Sequence, residues 1–234
     1  MRAGKEYKMN LDLKIVLPVV IAFCISVVLC PIVIPFLKKL KFGQFVRDDG
    51  PQAHLKKAGT PTMGGLIILL SLTITTLIYM KKYPDVLPVL FVTLGFGLIG
   101  FIDDYIKVVM KRSMGLHAWQ KMLGQIVVTG VFAYYVEKYS DINNELIIPF
   151  LGKTVQLNST LYVILLFFIV LGTVNGANFT DGLDGLASSV TVLIATFFAV
   201  VAVGTDSGVA PVACAAVGCL LGFLVYNVYP AKVF

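Results

Sequence analysis

The sequence predicts an all-α, polytopic integral membrane protein, and three observations lead to this prediction. Of the 234 residues, 58% are hydrophobic and 14% are charged, whereas an average globular domain is about 25% charged. The apolar residues form seven runs, each close to the roughly 20 residues that a helix needs to cross a bilayer. The basic residues cluster between those runs, as the positive-inside rule requires, so the net charge of +6 does not indicate nucleic acid binding.

The seven apolar runs give the predicted spans in chain order. They cover roughly residues 14–36, 64–82, 86–106, 118–136, 159–177, 184–204 and 208–228. Pro18, Pro31 and Pro35 lie in the first run and are expected to kink its helix or to mark its end. Between the fourth and fifth runs, segments 147–150 and 154–157 with Gly152 between them predict a small hairpin.

The lysine and arginine counts predict the orientation. The two internal loops at residues 37–63 and 107–121 carry six and four basic residues. With the N-terminus outside, eleven basic residues lie on the cytoplasmic side and eight lie outside. We therefore expect an outside N-terminus, a cytoplasmic C-terminus and all the polar motifs on the cytoplasmic face.

A glycine pattern in the third run resembles a nucleotide-binding motif but is not interpreted as one. Gly95-Phe-Gly-Leu-Ile-Gly100 matches G-x-G-x-x-G, yet it lies inside an apolar run without any βαβ context. Close helix packing through small residues is the expected role of these glycines.

Two adjacent carboxylates, Asp103 and Asp104, directly follow the apolar run that ends at Phe101. A charge inside hydrocarbon costs about 2.5–3.5 kcal/mol on insertion scales. By itself the pair is explained equally well as a solvated membrane exit, but other acid-bearing stretches favour a role with a cation or a substrate. Adjacent helical positions point about 100° apart, so the two carboxylates are expected to do different jobs.

A glycine- and threonine-rich stretch leads into the second span. Residues 49–65 lack the G-K-[ST] ending of a P-loop. They do supply Lys57, a mobile point charge suited to phosphate, and the hydroxyls of Thr60 and Thr62. A solvated basic loop would explain the lysines but not the run from Gly59 to Gly65.

A second polar stretch joins the fifth and sixth spans and contains no lysine or arginine. Asn175, Asn178, Asp181 and Asp184 recur every three residues, and in a helix they would share one face. Such groups can bind a metal ion or the donors of a base and a sugar. An Asn or Asp N-cap on the next span is the alternative, and it accounts for one acid.

The other polar residues of the sequence favour one kind of chemistry, phosphoryl transfer with Mg²⁺. The last polar stretch, residues 227–234, has an amide at a helix end before a proline, and by itself it is a weak indication of function. No Ser-His or Cys-His nucleophile set is recognisable. Acidic groups beside basic loops suit Mg²⁺ and phosphate, because Mg²⁺ takes oxygen ligands and shares them with substrate phosphates. Phosphoryl transfer needs mainly positioning and charge neutralisation, and the membrane setting implies a lipid substrate.

Four stretches together resemble a known family of transferases. They are Gly-Thr-Pro-Thr-Met-Gly-Gly (59–65), Phe-Ile-Asp-Asp-Tyr (101–105), Asn-Phe-Thr-Asp-Gly-Leu-Asp-Gly-Leu (178–186) and Asn-Val-Tyr-Pro-Ala-Lys-Val-Phe (227–234). In order and over essentially the whole chain, they resemble the phospho-N-acetylmuramoyl-pentapeptide transferase family, which belongs to the polyprenyl-phosphate N-acetylhexosamine 1-phosphate transferases.

The resemblance implies an activity and its substrates. The family uses UDP-MurNAc-pentapeptide, undecaprenyl phosphate and Mg²⁺ to make lipid I and UMP in peptidoglycan synthesis, at the cytoplasmic side of the bacterial inner membrane. A homodimer is a candidate assembly. The chain is accordingly expected to be a single transmembrane transferase domain over residues 1–234.

The resemblance also assigns residues by motif. Asp103 and Asp104 would be the catalytic carboxylates and low-affinity Mg²⁺ ligands, with Asp103 acting on the lipid phosphate as a base or orienter. Lys57 and Lys121, the latter in His-Ala-Trp-Gln-Lys, would meet phosphate. The nucleotide pocket and its surroundings would include Thr62, Asn175, Asn178, Asp181, Leu183, Asp184, Asn227 and Phe234, with Phe234 against the uracil.

One departure from the family pattern is expected to matter. The family continues after Val-Phe with Met-Gly-Asp, more spans and a His-rich loop, whereas this chain ends at Phe234. We expect an incomplete C-terminus, with the principal Mg²⁺ ligand beyond it, and we expect the 234-residue chain alone not to make lipid I.

Two other functions are kept as alternatives. A sister enzyme that transfers GlcNAc 1-phosphate to the same lipid would share most of these motifs, although the stretch from Lys57 to Gly65 favours the muramoyl enzyme. A transporter with intramembrane acids is the alternative from another class. It predicts charges near the middle of spans, whereas here they lie at span ends.

Overall fold

The structure is a computed structural model that describes residues 2–39, 60–110, 115–140, 144–148 and 151–234, with side chains from residue 16 onward. Seven helices and one hairpin occur in these ranges. In chain order they are α1 (Arg2–Lys39), α2 (Gly65–Tyr79), α3 (Val86–Val109), α4 (Ala118–Tyr139), β1 (Glu145–Ile148), β2 (Lys153–Gln156), α5 (Ser159–Thr180), α6 (Leu186–Gly204) and α7 (Ala210–Asn227).

The all-α polytopic fold is confirmed, because each predicted span coincides with a helix. Within the described residues, five helices are long and apolar enough to cross a membrane: Val16–Lys39, Val86–Val109, Ser159–Thr180, Leu186–Gly204 and Ala210–Asn227. The helix α2 has only 15 residues, and α4 carries more polar side chains. The predicted count of seven spans is therefore not confirmed.

The first helix differs from its prediction at both ends. It begins at Arg2, well before residue 14, because a span boundary marks the end of apolar sequence and not the end of a helix. Pro18, Pro31 and Pro35 all lie inside it, so the interpretation that a proline marks its end is wrong.

A hairpin is confirmed at the predicted place, with its strands one or two residues earlier than predicted, and residues 149 and 150 lie outside the described residues. Strands β1 and β2 pair antiparallel, with Glu145 opposite Gln156 and Ile148 opposite Lys153. Gly152 between them has a φ of 59°, a left-handed conformation that glycine adopts without steric cost.

The chain divides into two compact units. The first contains residues 1–116 and 180–234, and the second contains residues 117–179. In the first unit α7 contacts α1, α2, α3 and α6. Its core includes Cys30, Ile67 and Phe223 near one end of the helices and Ala22, Val86 and Cys219 further along.

Two glycines allow α7 to lie directly against α1. A Cβ on Gly218 would overlap the carbonyl oxygen of Val19, and a Cβ on Gly222 would lie 2.7 Å from that of Phe23. Nearby, the Ser26 hydroxyl donates to the Cys219 carbonyl at 2.9 Å. This spacing of four residues is the small-residue pattern that brings membrane helices together.

Candidate active site

The carboxylate of Asp103 is anchored near the end of α3. Its Oδ2 accepts a hydrogen bond from Lys107 Nζ at 2.7 Å, and its Oδ1 accepts one from the backbone N–H of Leu116 at 2.8 Å. Gly115 leaves the space for this arrangement, because a Cβ there would overlap Asp103 Oδ1. Charge-assisted hydrogen bonds of this kind are the strong ones, so Asp103 has a fixed orientation.

Asp104 shares the same lysine but has a different environment. Lys107 Nζ lies 3.3 Å from Asp104 Oδ1. The side chain of Asp104 is 43% exposed, compared with 10% for Asp103. The structure therefore gives the two carboxylates different surroundings, whereas the expectation that they do different jobs stays a prediction.

An apolar cavity of about 320 Å³ lies between α2 and α3, and Asp104 is among its lining residues. The cavity is otherwise lined largely by aliphatic side chains and glycine, including Leu66, Leu69, Gly97, Gly100 and Phe101. Its volume is at the small end of ligand pockets, so it suits a segment of a ligand.

The glycines of the third run have two different roles. A Cβ on Gly97 would lie 2.5 Å from Leu69 Cδ1, so this glycine serves the close packing of α2 on α3. A Cβ on Gly100 would meet nothing within 4 Å. The prediction of a packing role is therefore confirmed for Gly97, whereas Gly100 borders open space.

Backbone hydrogen bonds join the segment before α2 to the end of the chain. The Phe234 N–H donates to the Pro61 carbonyl at 2.8 Å, and the Phe234 carbonyl accepts from Gly64 N–H. Thr62 lies between these two contacts and is half-buried, as is Phe234. Thr62 and Phe234 are thus brought together, whereas Lys57 lies outside the described residues.

A turn at residues 181–185 also meets the last stretch of the chain. Asp184 Oδ2 accepts the Ala231 N–H at 3.0 Å. The buried Asn227 side chain accepts from Ser188 Oγ at 3.0 Å and donates to the Val233 carbonyl at 2.9 Å. Asp184, Asn227 and Phe234 therefore belong to one hydrogen-bonded region, and Asp181 and Leu183 lie exposed in the turn beside it.

Asn175, Asn178, Asp181 and Asp184 would share one face only if the whole stretch were helical, and it is not. Helix α5 ends at Thr180, so Asn175 and Asn178 lie on the helix and the two acids lie in the turn that follows. The turn is completed by Gly185, which has a φ of 72° and occupies the N-cap position of α6. The alternative of an Asn or Asp N-cap is wrong for the same reason.

The second unit holds its own group of polar side chains. Lys121 Nζ donates to Asn178 Oδ1 at 3.0 Å. One turn further along α4, Gln125 Oε1 accepts from Asn175 Nδ2 at 2.9 Å. Gln125 was missed by the sequence reasoning, although a glutamine inside an apolar run, four residues after Lys121, is a signal that could have found it.

The side chains around Asp103 and Asp104 determine whether a divalent cation fits this site. Among the residues described, no group of three or more His, Cys, Asp or Glu side chains is placed to hold a metal. Two adjacent carboxylates nevertheless fit Mg²⁺, which commonly takes one or two carboxylates and completes its shell with water and substrate phosphate. Asp104 is the more accessible of the two.

The fold and these carboxylates define a polytopic membrane protein of the class described as glycosyl transferase family 4, whose family model matches residues 86–234. Residues 57–69 also match the phospho-N-acetylmuramoyl-pentapeptide-transferase signature 1. Together with the relatives below, these matches show that the chain belongs to the phospho-N-acetylmuramoyl-pentapeptide-transferase family.

Curated relatives carry the same family name. The phospho-N-acetylmuramoyl-pentapeptide-transferase of Caldicellulosiruptor bescii is 47% identical over 225 residues, covering 96% of this chain and 69% of the relative. That of Bacillus subtilis is 46% identical over 229 residues, covering 96% and 70%. That of Clostridioides difficile is 47% identical over 216 residues, covering 92% and 67%. These relatives are longer than this chain.

Proposed function

We propose that the protein transfers phospho-MurNAc-pentapeptide from UDP-MurNAc-pentapeptide to undecaprenyl phosphate, giving lipid I and UMP in peptidoglycan synthesis. The observation that supports this most is the signature match at residues 57–69, because the glycine- and threonine-rich stretch there is what favoured the muramoyl enzyme over its sister. The reaction would take place at the cytoplasmic face of the bacterial inner membrane, where the basic loops predict that the Asp pair lies.

The bond changes are those of a phosphoryl transfer. An oxygen of the lipid phosphate forms a bond to the phosphorus that carries the sugar, and the bond from that phosphorus to the bridging oxygen breaks, so UMP leaves with that oxygen. Asp103 would orient the attacking phosphate and accept its proton where one is present. Its hydrogen bonds to Lys107 and Leu116 support this role because they fix the carboxylate before substrate arrives.

Asp104 would hold Mg²⁺ together with the substrate's diphosphate. Its exposed side chain supports this assignment. Mg²⁺ would supply neutralisation of the diphosphate charge, which is most of the catalysis in such a transfer. Lys107 contacts both carboxylates, and its positive charge offsets part of their mutual repulsion.

The lipid and the nucleotide would contact different sets of residues. The apolar cavity lined by Gly100 and Asp104 suits the isoprene units nearest the lipid phosphate. Asp181, Leu183, Asp184 and Phe234 would line the nucleotide pocket, with Phe234 against the uracil, and Thr62 would lie beside it. Lys57 and Lys121 would meet phosphate, with Asn178 beside Lys121.

Two residues predicted to line the nucleotide pocket are better explained as structural residues that hold neighbouring parts of the chain in place. Asn227 and Asn175 use their amides for contacts within the protein. We therefore propose that they shape the pocket without requiring a contact with the nucleotide. The homodimer stays a prediction.

The test is release of UMP with undecaprenyl phosphate and Mg²⁺, measured for the 234-residue chain and for the same protein extended by the C-terminal region that its longer relatives contain. The activity predictions below refer to the extended protein. UDP-MurNAc-pentapeptide and UDP-GlcNAc are supplied in parallel, with lipid-free reactions as the control. Lipid-dependent release from the muramoyl substrate alone supports the proposal. For the extended protein, release from UDP-GlcNAc instead would assign the sister activity, and release from neither substrate would contradict both activities.

A further inference from the structure

Two side-chain contacts join helices α4 and α5 in the second unit. The first is the amide pair, formed by Gln125 and Asn175, with Asn175 Nδ2 2.9 Å from Gln125 Oε1 and Gln125 Nε2 3.5 Å from Asn175 Oδ1. The second is the Lys121–Asn178 contact of 3.0 Å. Both lie on the facing sides of the two helices.

The two contacts are related by helix geometry. Lys121 precedes Gln125 by four residues, and Asn178 follows Asn175 by three. Residues three or four apart in a helix lie one turn apart on the same face, and the partners show that α4 and α5 run in opposite directions. The amide pair therefore sets the register in which Lys121 Nζ meets Asn178.

The burial and the hydrogen bonds of the amide pair suit it to fixing this register. Gln125 is only 1% exposed, and a buried amide is retained at low cost only when it is hydrogen-bonded. Asn175 Nδ2 also donates to the Leu171 carbonyl at 2.8 Å, which fixes its rotamer. A shift of α5 along α4 by one residue would leave the buried amide of Gln125 without its partner.

The first turn of α4 is fixed independently. Gln120 Oε1 accepts the His117 backbone N–H at 3.0 Å, and the Lys121 N–H donates to the His117 carbonyl at 3.1 Å. These contacts define where α4 begins. Apart from the rotamers of its own side chain, the placement of Lys121 relative to Asn178 then follows from the register between the two helices. That register depends on Gln125.

We infer that Gln125 is a positioning residue, whose hydrogen bonds with Asn175 hold the Lys121 ammonium group beside Asn178 for the anionic sugar nucleotide. The inference rests on the proposed function, in which Lys121 meets phosphate. Gln125 itself touches neither substrate. It acts through Lys121.

A double-mutant cycle tests this dependence. Gln125→Met keeps the length of the side chain and removes its hydrogen bonds, and it is expected to lower kcat/KM for UDP-MurNAc-pentapeptide at least about tenfold, since a 1 Å misplacement can cost more than this. In a Lys121→Met background the same substitution should change kcat/KM less than about twofold, because its target is gone. Equal fold-changes in both backgrounds would indicate a structural role only and overturn the inference.

Thr129→Val is the matched control. Thr129 is fully buried one turn beyond Gln125, and its hydroxyl donates to the Gln125 backbone carbonyl at 2.8 Å. The Thr129→Val substitution removes a buried polar group from the same helix and leaves the side chains of Gln125 and Asn175 in place. The value of kcat/KM should therefore stay near that of the unmodified protein. A loss as large as that of Gln125→Met would show that any buried polar change in α4 has this effect.

A rescue variant keeps the test valid if Gln125→Met folds poorly. Gln125→Asn combined with Asn175→Gln exchanges the two side chains and keeps their summed length, so the amide pair can re-form. We expect kcat/KM within about threefold of the original, with each single exchange lower. A double variant no better than the worse single variant would count against the register argument.

A chemical readout separates this inference from the proposed activity. The rate at which an amine-reactive acylating reagent modifies Lys121, followed by peptide mass spectrometry, should rise in Gln125→Met and not in Thr129→Val. Equal rates would overturn the inference without bearing on turnover. Absence of UMP release by the unmodified protein would contradict the proposed function, whereas the comparison of acylation rates at Lys121 would still test this inference.

Discussion

The backbone N–H of Leu116 donates a 2.8 Å hydrogen bond to Oδ1 of Asp103, which ties a carboxylate at the end of α3 to a residue thirteen positions later. This contact requires glycine at the preceding position, because a Cβ on Gly115 would overlap the carboxylate and would lie 2.7 Å from the Asp103 carbonyl oxygen. The position of the proposed catalytic carboxylate thus depends on a residue with no functional group.

Gly115→Ala is expected to reduce turnover while the protein still folds. The added methyl group would displace the Asp103 carboxylate, and misplacement of a reacting group by about 1 Å can cost up to roughly a hundredfold. UMP release measures the effect. Gly172→Ala on α5, where a Cβ meets nothing within 4 Å, is the control and should retain activity. Equal activity of the two variants would show that the Leu116 contact does not position Asp103.

Substitution of either carboxylate should strongly reduce turnover without preventing folding. Asp103→Asn and Asp104→Asn are each expected to lower turnover at least about a hundredfold, comparable to the loss of a positioned acid–base or charge-stabilising group. Folding should survive, because removal of a charge near lipid lowers an insertion cost.

A Mg²⁺ titration distinguishes their roles. Asp104→Asn should raise the half-saturating Mg²⁺ concentration at least about tenfold, a size of effect that follows even the loss of an outer partner of a metal ligand. Asp103→Asn should leave the half-saturating Mg²⁺ concentration unchanged, and its loss of turnover should persist in kcat at saturating Mg²⁺. The same Mg²⁺ dependence in both variants would contradict the division of roles.

The sequence predicts the helical segments well because hydrophobic run length is a local property. It predicts the polar stretch at residues 175–184 poorly because a spacing of three fits both a helix and a turn. What decides between them is distant: Asp184 is held by Ala231, 47 residues away, and Gln125 by Asn175, 50 residues away. Contacts of that kind leave no periodic signal, although Gly182 and Gly185 do mark where a helix could end.

The packing of α7 against α1 predicts a sensitive position. Gly218→Ala should lower thermal stability, because a Cβ there overlaps the Val19 carbonyl oxygen and the helices must separate. Overpacking of this kind typically costs about 1–3 kcal/mol. Size-exclusion chromatography after heating in detergent measures it. Gly204→Ala, in open space at the end of α6, should be neutral, and an equal loss in both variants would contradict the packing argument.

The predicted orientation is tested by single cysteines in a variant without Cys24, Cys30, Cys214 and Cys219. Gly50→Cys and Ser113→Cys should react with a membrane-impermeant maleimide only from the cytoplasmic side, because both belong to the strongly basic loops. Asn143→Cys should react only from outside. Labelling of positions 50 and 143 from the same side would refute the orientation.

Gly100→Leu should weaken the use of the lipid substrate. The leucine side chain would enter the apolar cavity beside Asp104, where a Cβ on Gly100 has no neighbour within 4 Å, and would leave the Gly97–Leu69 packing intact. If isoprene units occupy the cavity, the loss of about two buried CH₂ equivalents at about 0.8 kcal/mol each corresponds to roughly a tenfold rise in KM for undecaprenyl phosphate.

The substrate dependence makes this last prediction specific. The KM for UDP-MurNAc-pentapeptide should not change in Gly100→Leu, because the nucleotide would bind elsewhere. Gly172→Leu adds the same side chain at a position on α5 that is also open, and both KM values should then match those of the unmodified protein. A rise in the nucleotide KM alone, or no change in either, would remove the cavity from the lipid path. A rise in the lipid KM alone would locate the isoprene units nearest the phosphate between α2 and α3.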